Sequence, residues 1–321
     1  MPVLAAVSAA LGWIGRQGAR AIAFIVVMAI LVPPLDALLR PFVTEAIVAL
    51  LCSAFVRVDT AALASHLRRP GLVIAATAWT SLVVPIVFGV CCLAVHLDVR
   101  SPDLFLALML QAVTSPMMAA PAFAAIMGLD ATLVLTALVM SSAITPLSAP
   151  FFAYLFVGPA LSLSPLALGL KLFAILSIAL AAALIIRRLA GMDAIRRASK
   201  QIDGINILLA FFFVAAVMQD VGTRFLADPL TMIGLLVLSF AVNFGVLALT
   251  TLVFVAADRE RSFSIGLMAS QRNLGLMLAA TGGAVPDLVW LYFAVAQFPL
   301  YLAPLLLAPI ARRVKAGTPA G

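Results

Sequence analysis

Charge is what this chain has least of. Only 10% of its 321 residues are charged and 65% are hydrophobic, whereas a soluble domain carries about 25% charged residues. That scarcity excludes a soluble globular fold and, with the long apolar runs, specifies a polytopic membrane protein. It also disfavours a barrel, whose strands are about 10 residues long and alternate in polarity. Cysteine and histidine are nearly missing. Cys52, Cys91 and Cys92 lie in apolar segments and read as small packing residues. His66 and His96 stand alone near helix ends, so no metal cluster and no cofactor is implied. A nucleophile–base pair and a phosphate-binding loop are missing too. The chain is not read as an enzyme, and ATP-driven transport by this chain alone has no support. Mid-span carboxylates are lacking as well: Asp36, Glu45, Asp220 and Asp287 read as outer-end residues, which leaves proton coupling through a buried acid unsupported.

What charge there is runs basic, with a net +7. The basic residues sit in short loops between apolar runs, so membrane orientation explains them better than nucleic acid does. Apolar periodicity places ten helical spans near 20–39, 41–58, 70–95, 103–127, 131–157, 165–187, 204–226, 229–257, 263–285 and 287–310. With a cytoplasmic N-terminus, the inner side receives Arg16, Arg20, Arg57, Arg68, Arg69, Arg187, Arg188, Arg196, Arg197, Lys200, Arg259, Arg261, Arg312, Arg313 and Lys315. The outer side receives only Arg40, Arg100 and Arg224. That asymmetry predicts a plasma (inner) membrane protein with both termini cytoplasmic. Lys171, near the start of span six, can snorkel. Residues 1–19 put apolar residues before basic ones, the reverse of a secretory signal, and predict a short interfacial helix. Residues 311–321 form a cytoplasmic tail.

Five spans precede residue 158 and five follow 164. An odd number per half predicts two inverted five-helix repeats, 20–157 and 165–310, the plan of many secondary transporters. The fourth span of each half is interrupted. Span four carries Thr114, Ser115, Pro116 and Pro121 in mid-run; proline lacks an N–H and clashes with the preceding turn, so an unwound stretch is expected at 114–121. Span nine carries Ser270, Gln271, Arg272 and Asn273, followed by Gly275. Paired interruptions in corresponding spans point to a binding site at the midplane, and half-helix N-termini there favour an anion.

Three stretches then carry a resemblance: "VRVDTAALASHLRRPGLVIAATAWTSLVVP", with Pro70 and Pro85 bracketing span three; "AVNFGVLALT", with Asn243; and "GLMASQRNLGLMLAA". Collinear over about 20–310, they resemble the bile acid:sodium symporter family in the wide sense that includes many bacterial organic-anion transporters. The resemblance implies an all-α membrane fold of two intertwined repeats. A core domain, helices at 70–157 and 229–310, would hold two crossing broken helices. A panel domain would comprise helices at 20–58 and 165–226. It also implies an organic-anion substrate, commonly driven by two sodium ions behind the crossing.

The departures from that pattern matter most. Aligned on Asn273 and Gly275, the family's sodium-binding Glu falls at Met268 and its Gln at Arg272. A helix-three Gln falls at Thr80, the helix-four Ser-Asn pair at Ala120 and Pro121, and two helix-five hydroxyl ligands at Val134 and Leu138. Thr136, Ser141 and Ser142 remain nearby but out of phase. An apolar shell solvates sodium poorly, which makes sodium a doubtful partner.

Arg272 is the only charge between Arg261 and Asp287, where a mid-bilayer arginine costs from ~3 to more than 10 kcal/mol. Three readings stand. It is a tethered cation in the sodium volume, donating to carbonyls and making the carrier sodium-independent. It is a direct ligand forking onto a substrate carboxylate or sulfate. Or it is a structural arginine in a receptor or scaffold that transports nothing. Sodium coupling through relocated ligands is a further alternative. Asn243 either braces the crossing or bonds a neighbouring helix. Asp130 reads as a helix-start cap, and Met117 and Met118 as packing.

Overall fold

The computed structural model describes residues 2–17, 39–58, 70–158, 163–218 and 221–316, with isolated positions between 21 and 28. Most of the first expected span, 20–39, including Arg20 and Asp36, and the linker at 59–69 with His66 lie outside the described residues, as do Asp220 and residues 317–321 of the expected tail. The rest is mostly helical. In hydrocarbon each backbone N–H and C=O must find its partner within the chain, and apolar runs of this length do so as helices. In chain order these are α1 (Pro2–Gln17), α2 (Val43–Val56), α3 (Gly71–Ala94), α4 (Pro102–Val113), α5 (Ala120–Ile126) and α6 (Ala131–Phe156). They continue as α7 (Pro165–Ala190), α8 (Ser199–Val217), α9 (Pro229–Val253), α10 (Arg259–Ser270), α11 (Leu274–Thr281) and α12 (Asp287–Ala316). Short helices at Leu97–Arg100, Met192–Arg197 and Val221–Ala227 turn the corners.

Among the described residues, six helices are long and apolar enough to cross a membrane: α3, α6, α7, α8, α9 and α12. Large apolar side chains such as Leu147, Phe173, Leu189 and Leu230 stand exposed on their outer faces, far beyond what a soluble surface carries. The protein is an all-α membrane-embedded one. Polar residues punctuate the helix starts. Asp130 accepts from the Leu133 N–H at 2.9 Å, the cap expected of it, and Ser164, Asp228 and Asp258 cap α7, α9 and α10 in the same way.

The interior is one continuous apolar cluster. α12 is the most enclosed long helix, whereas α7 and α9 leave most of their apolar surface outward. α2 packs on α7, α8 and α11; α6 packs on α3, α4 and α10; α9 packs on α10 and α12. The N-terminal segment forms the helix α1, which is docked on α8. Gly15 meets the Lys200 carbonyl and Gly204 meets the Leu11 carbonyl, reciprocal glycines that let two backbones approach. Arg57 ties α2 to α8 through Asp203 at 2.6 Å, and Arg187 donates to the Val58 carbonyl at 3.0 Å.

Several sequence boundaries shift. The span expected at 204–226 begins at Ser199 and stops at Val217, with the separate helix Val221–Ala227 after it. The unwound stretch expected at 114–121 closes at Ala119. Pro121 lies in the first turn of α5, where a missing N–H costs nothing. Gly275 is likewise helical, inside α11. A Cβ there would strike Ile47 and Phe213, so its smallness serves packing against α2 and α8 and not the break.

Candidate functional site

The two interrupted helices meet. α4 ends at Val113 and α10 at Ser270, and the extended residues that follow pair as an isolated antiparallel bridge between Pro116 and Arg272. Its hydrogen bonds run from Met117 N to Gln271 O at 2.6 Å and from Asn273 N to Ser115 O at 2.9 Å. Each break thus satisfies part of the other's freed backbone, the condition for irregular chain at membrane depth. Side chains close the rest. Thr114 Oγ1 donates to Asn273 O at 2.9 Å, and Asn243 Nδ2 donates to Ser270 O at 2.9 Å. Asn273 Oδ1 accepts from Leu276 N at 3.1 Å and caps α11. That cap occupies the half-helix N-terminus expected to face an anion. Ser270 Oγ turns back to Leu267 O within its own helix.

Arg272 threads between three elements and is 3% exposed. Nη1 donates to Thr114 O at 2.9 Å and to Thr80 O at 3.3 Å, and Nη2 donates to Thr80 O at 3.3 Å. Both acceptors are carbonyls that their own helices cannot satisfy. Thr114 follows the last turn of α4. Thr80 lies in a π-helical turn, Trp79–Val83, where Val84 N reaches Trp79 O five residues back. The next donor in that register is residue 85, and it is proline, with no N–H. Pro85 orphans the Thr80 carbonyl, and the guanidinium fills it. A planar group with five donors suits two divergent carbonyls.

Thr80, singled out by side-chain alignment, therefore contributes its carbonyl to Arg272, while its hydroxyl is buried and, among the described residues, without a partner. Ser115 Oγ and both amide atoms of Gln271 are buried in the same condition. The positions aligned with sodium ligands, Ala120, Val134, Leu138 and Met268, are all fully buried and offer no oxygen from their side chains. Pro121 offers none either. Thr136 bonds its own helix at Thr132 O, while the buried hydroxyls of Ser141 and Ser142 have no partner among the described residues. Met117 and Met118 pack against the core as expected.

Sequence reasoning missed two features. The π turn was one; Pro85, five residues after Thr80, was the available signal. The other is a buried bond from Tyr292 Oη to Gln111 Oε1 at 2.6 Å, signalled by a lone glutamine in the apolar run before the break. Among the described residues no group of acids, histidines and cysteines could hold a metal. Neither a family profile nor a curated protein matches this sequence.

Proposed function

We propose that this chain is a secondary carrier for a small or amphipathic organic anion, working by alternating access and independently of sodium. A single observation carries the reading: two interrupted helices meet at their breaks in an antiparallel bridge, and a buried guanidinium pins the junction through carbonyls. Interrupted helices that meet inside a membrane protein are a recurring construction for transport sites. The cation is fixed in the chain, so it replaces mobile sodium as the charge that holds the crossing together.

The two halves support the inverted-repeat plan. Each interrupted pair has a first helix of 12 residues and a short second one, of 7 residues in α5 and 8 in α11. Each second helix closes with the same reversal: Leu129 N bonds Ala124 O and Gly283 N bonds Leu278 O. Each carries a left-handed glycine, Gly128 or Gly282, beside a lysine ammonium, that of Lys315 or Lys171. With each pair counted as one span, the described helices supply candidates for nine of the ten expected spans. In this reading the core (70–157, 229–310) moves against the panel (20–58, 165–226), both termini are cytoplasmic, and the chain is a divergent relative of the bile acid:sodium symporters.

Unpartnered Ser141 and Ser142 hydroxyls favour a second reading, sodium coupling through relocated ligands. Reconstitution in liposomes with a panel of steroid, keto-acid and fatty carboxylates, with and without a sodium gradient, separates the readings. The expected result is uptake indifferent to sodium and abolished or made sodium-dependent by Arg272→Gln. Wild-type uptake that requires sodium rules out the tethered cation. A folded protein that moves none of them points to a receptor or scaffold.

A further inference from the structure

We propose that a groove beside the Val221–Ala227 helix holds a zwitterionic phospholipid of the ethanolamine type, with one acyl chain inside and its headgroup on Arg224 and Asp287. Such a site is independent of whether the chain transports anything. Among the described residues, a cavity of about 270 Å³ lies between that short helix, α9 and α12. Its walls include Val221, Phe225 and Leu226 of the short helix, Leu236 of α9, and Val295 and Phe298 of α12, and no polar residue lines it. An apolar cavity stays dry, and in a bilayer the filler at hand is an acyl chain. Leu226 is 86% exposed and Phe225 is exposed as well, whereas Val295 is buried, so the groove runs from the lipid-facing perimeter into the bundle.

Length fixes the class of ligand. Val295 and Phe298 follow Asp287, the first residue of α12, and at the rise of a helix they lie about 12–17 Å further along it. One leaflet is half of a ~30 Å hydrocarbon core, so the groove reaches the depth of one acyl chain below the end of α12. The cavity is also smaller than the ~300–1,000 Å³ pockets that enclose drug-sized ligands; it admits a single chain and not a fused-ring body. Charge fixes the headgroup. Arg224 Nη2 lies 3.9 Å from Asp287 Oδ2, and both side chains are exposed. That separation is too long for a hydrogen bond, so neither charge is used up by the other. Arg224 belongs to the short helix that walls the groove and Asp287 starts the helix that supplies its deepest residues, so the two charges stand at the headgroup end. A guanidinium beside a carboxylate matches a phosphate and a primary ammonium joined by a short link. The phosphate takes the guanidinium, and the ammonium takes the carboxylate. A purely anionic headgroup meets only Arg224 and is repelled by Asp287.

The test is thermal unfolding of the purified, delipidated full chain in detergent micelles doped with dioleoylphosphatidylethanolamine or with dioleoylphosphatidylglycerol, which has the same chains and an anionic headgroup. The expected result is a saturable rise in Tm with the ethanolamine lipid. Its apparent affinity exceeds that of the glycerol lipid by about tenfold or more, the size of one hydrogen bond to a charged group. Arg224→Gln weakens the ethanolamine lipid by about the same factor. Asp287→Asn brings the two lipids level, and Leu236→Trp, which fills the groove, removes both responses. A wild-type Tm indifferent to both lipids, or an equal response to both, overturns the proposal. So does undiminished affinity in Arg224→Gln or in Leu236→Trp, or a preference that survives in Asp287→Asn. If Leu236→Trp does not fold, Arg224→Gln and Asp287→Asn decide, since both of those side chains are exposed.

Discussion

At Arg272 the shape of the cation matters as much as its charge. The guanidinium reaches Thr114 O and Thr80 O together. A lysine ammonium is compact and lacks the planar fork, so Arg272→Lys keeps the charge and gives up one carbonyl. A buried carbonyl left without a donor costs about 1–3 kcal/mol, to be read as a lower midpoint in detergent unfolding. Asn243→Leu strips the donor from Ser270 O and is expected to cost about 0.6–1.7 kcal/mol by the same measurement, the range of such bonds between membrane helices. Both residues were legible in the sequence because a polar side chain in a long apolar run has to be bonded to something. Their partners were not legible. Arg272 and Asn243 hold backbone carbonyls, which every residue has, and only the three-dimensional path of the chain decides which are unsatisfied.

Interruptions are encoded more openly than their exact extent. Helix-poor residues in mid-span marked both breaks, yet Pro121 and Gly275 proved to be helical. Proline in a first turn is compatible with a helix, and a small residue can serve a neighbour's approach as well as a bend. The π turn in α3 illustrates the converse, a distortion whose sequence signal was Pro85, five residues after Thr80. Its link to Arg272 is testable through Pro85→Ala, which restores an N–H able to reach Thr80 O. Arg272→Met is then less damaging in that background than alone, and a double-mutant cycle yields a coupling of about 0.5–3 kcal/mol, the range for contacting residues. Helix starts give a pH prediction. Asp228, just outside α9, receives hydrogen bonds from the side chain and backbone of Thr231, which hold its carboxyl below the usual range. A lowered folded pKa contributes stability above the unfolded value of about 3.9 and loses it as pH falls through the folded one. Asp228→Ala therefore lowers Tm at pH 7, and the gap to wild type narrows in acid below the unfolded pKa.

Across the whole molecule, fold class follows from apolar content alone, but a division into moving bodies does not, because the packing that holds two bodies together resembles the packing within each. One seam is nevertheless specific. α11, the second half of an interrupted helix, lies against α2 and α7, and a Cβ on its Gly275 would strike Ile47 of α2 and Phe213 of α8. If α2 and α8 belong to a panel that slides past the core, this close contact has to open or shift in every cycle. Cysteines at Ile47 and Gly275, in a chain with Cys52, Cys91 and Cys92 replaced, place a bridgeable pair across the seam. Gly275→Cys alone overpacks the contact and costs about 1–3 kcal/mol, so the comparison is made within that variant, before and after a short bifunctional thiol reagent. Bridging is expected to stop uptake in liposomes while leaving the protein folded, read as an unchanged cooperative unfolding transition in detergent. Cleaving a reducible linker restores uptake. Undiminished uptake in fully bridged protein means that α2 and α11 travel together, and the moving boundary then lies elsewhere in the bundle.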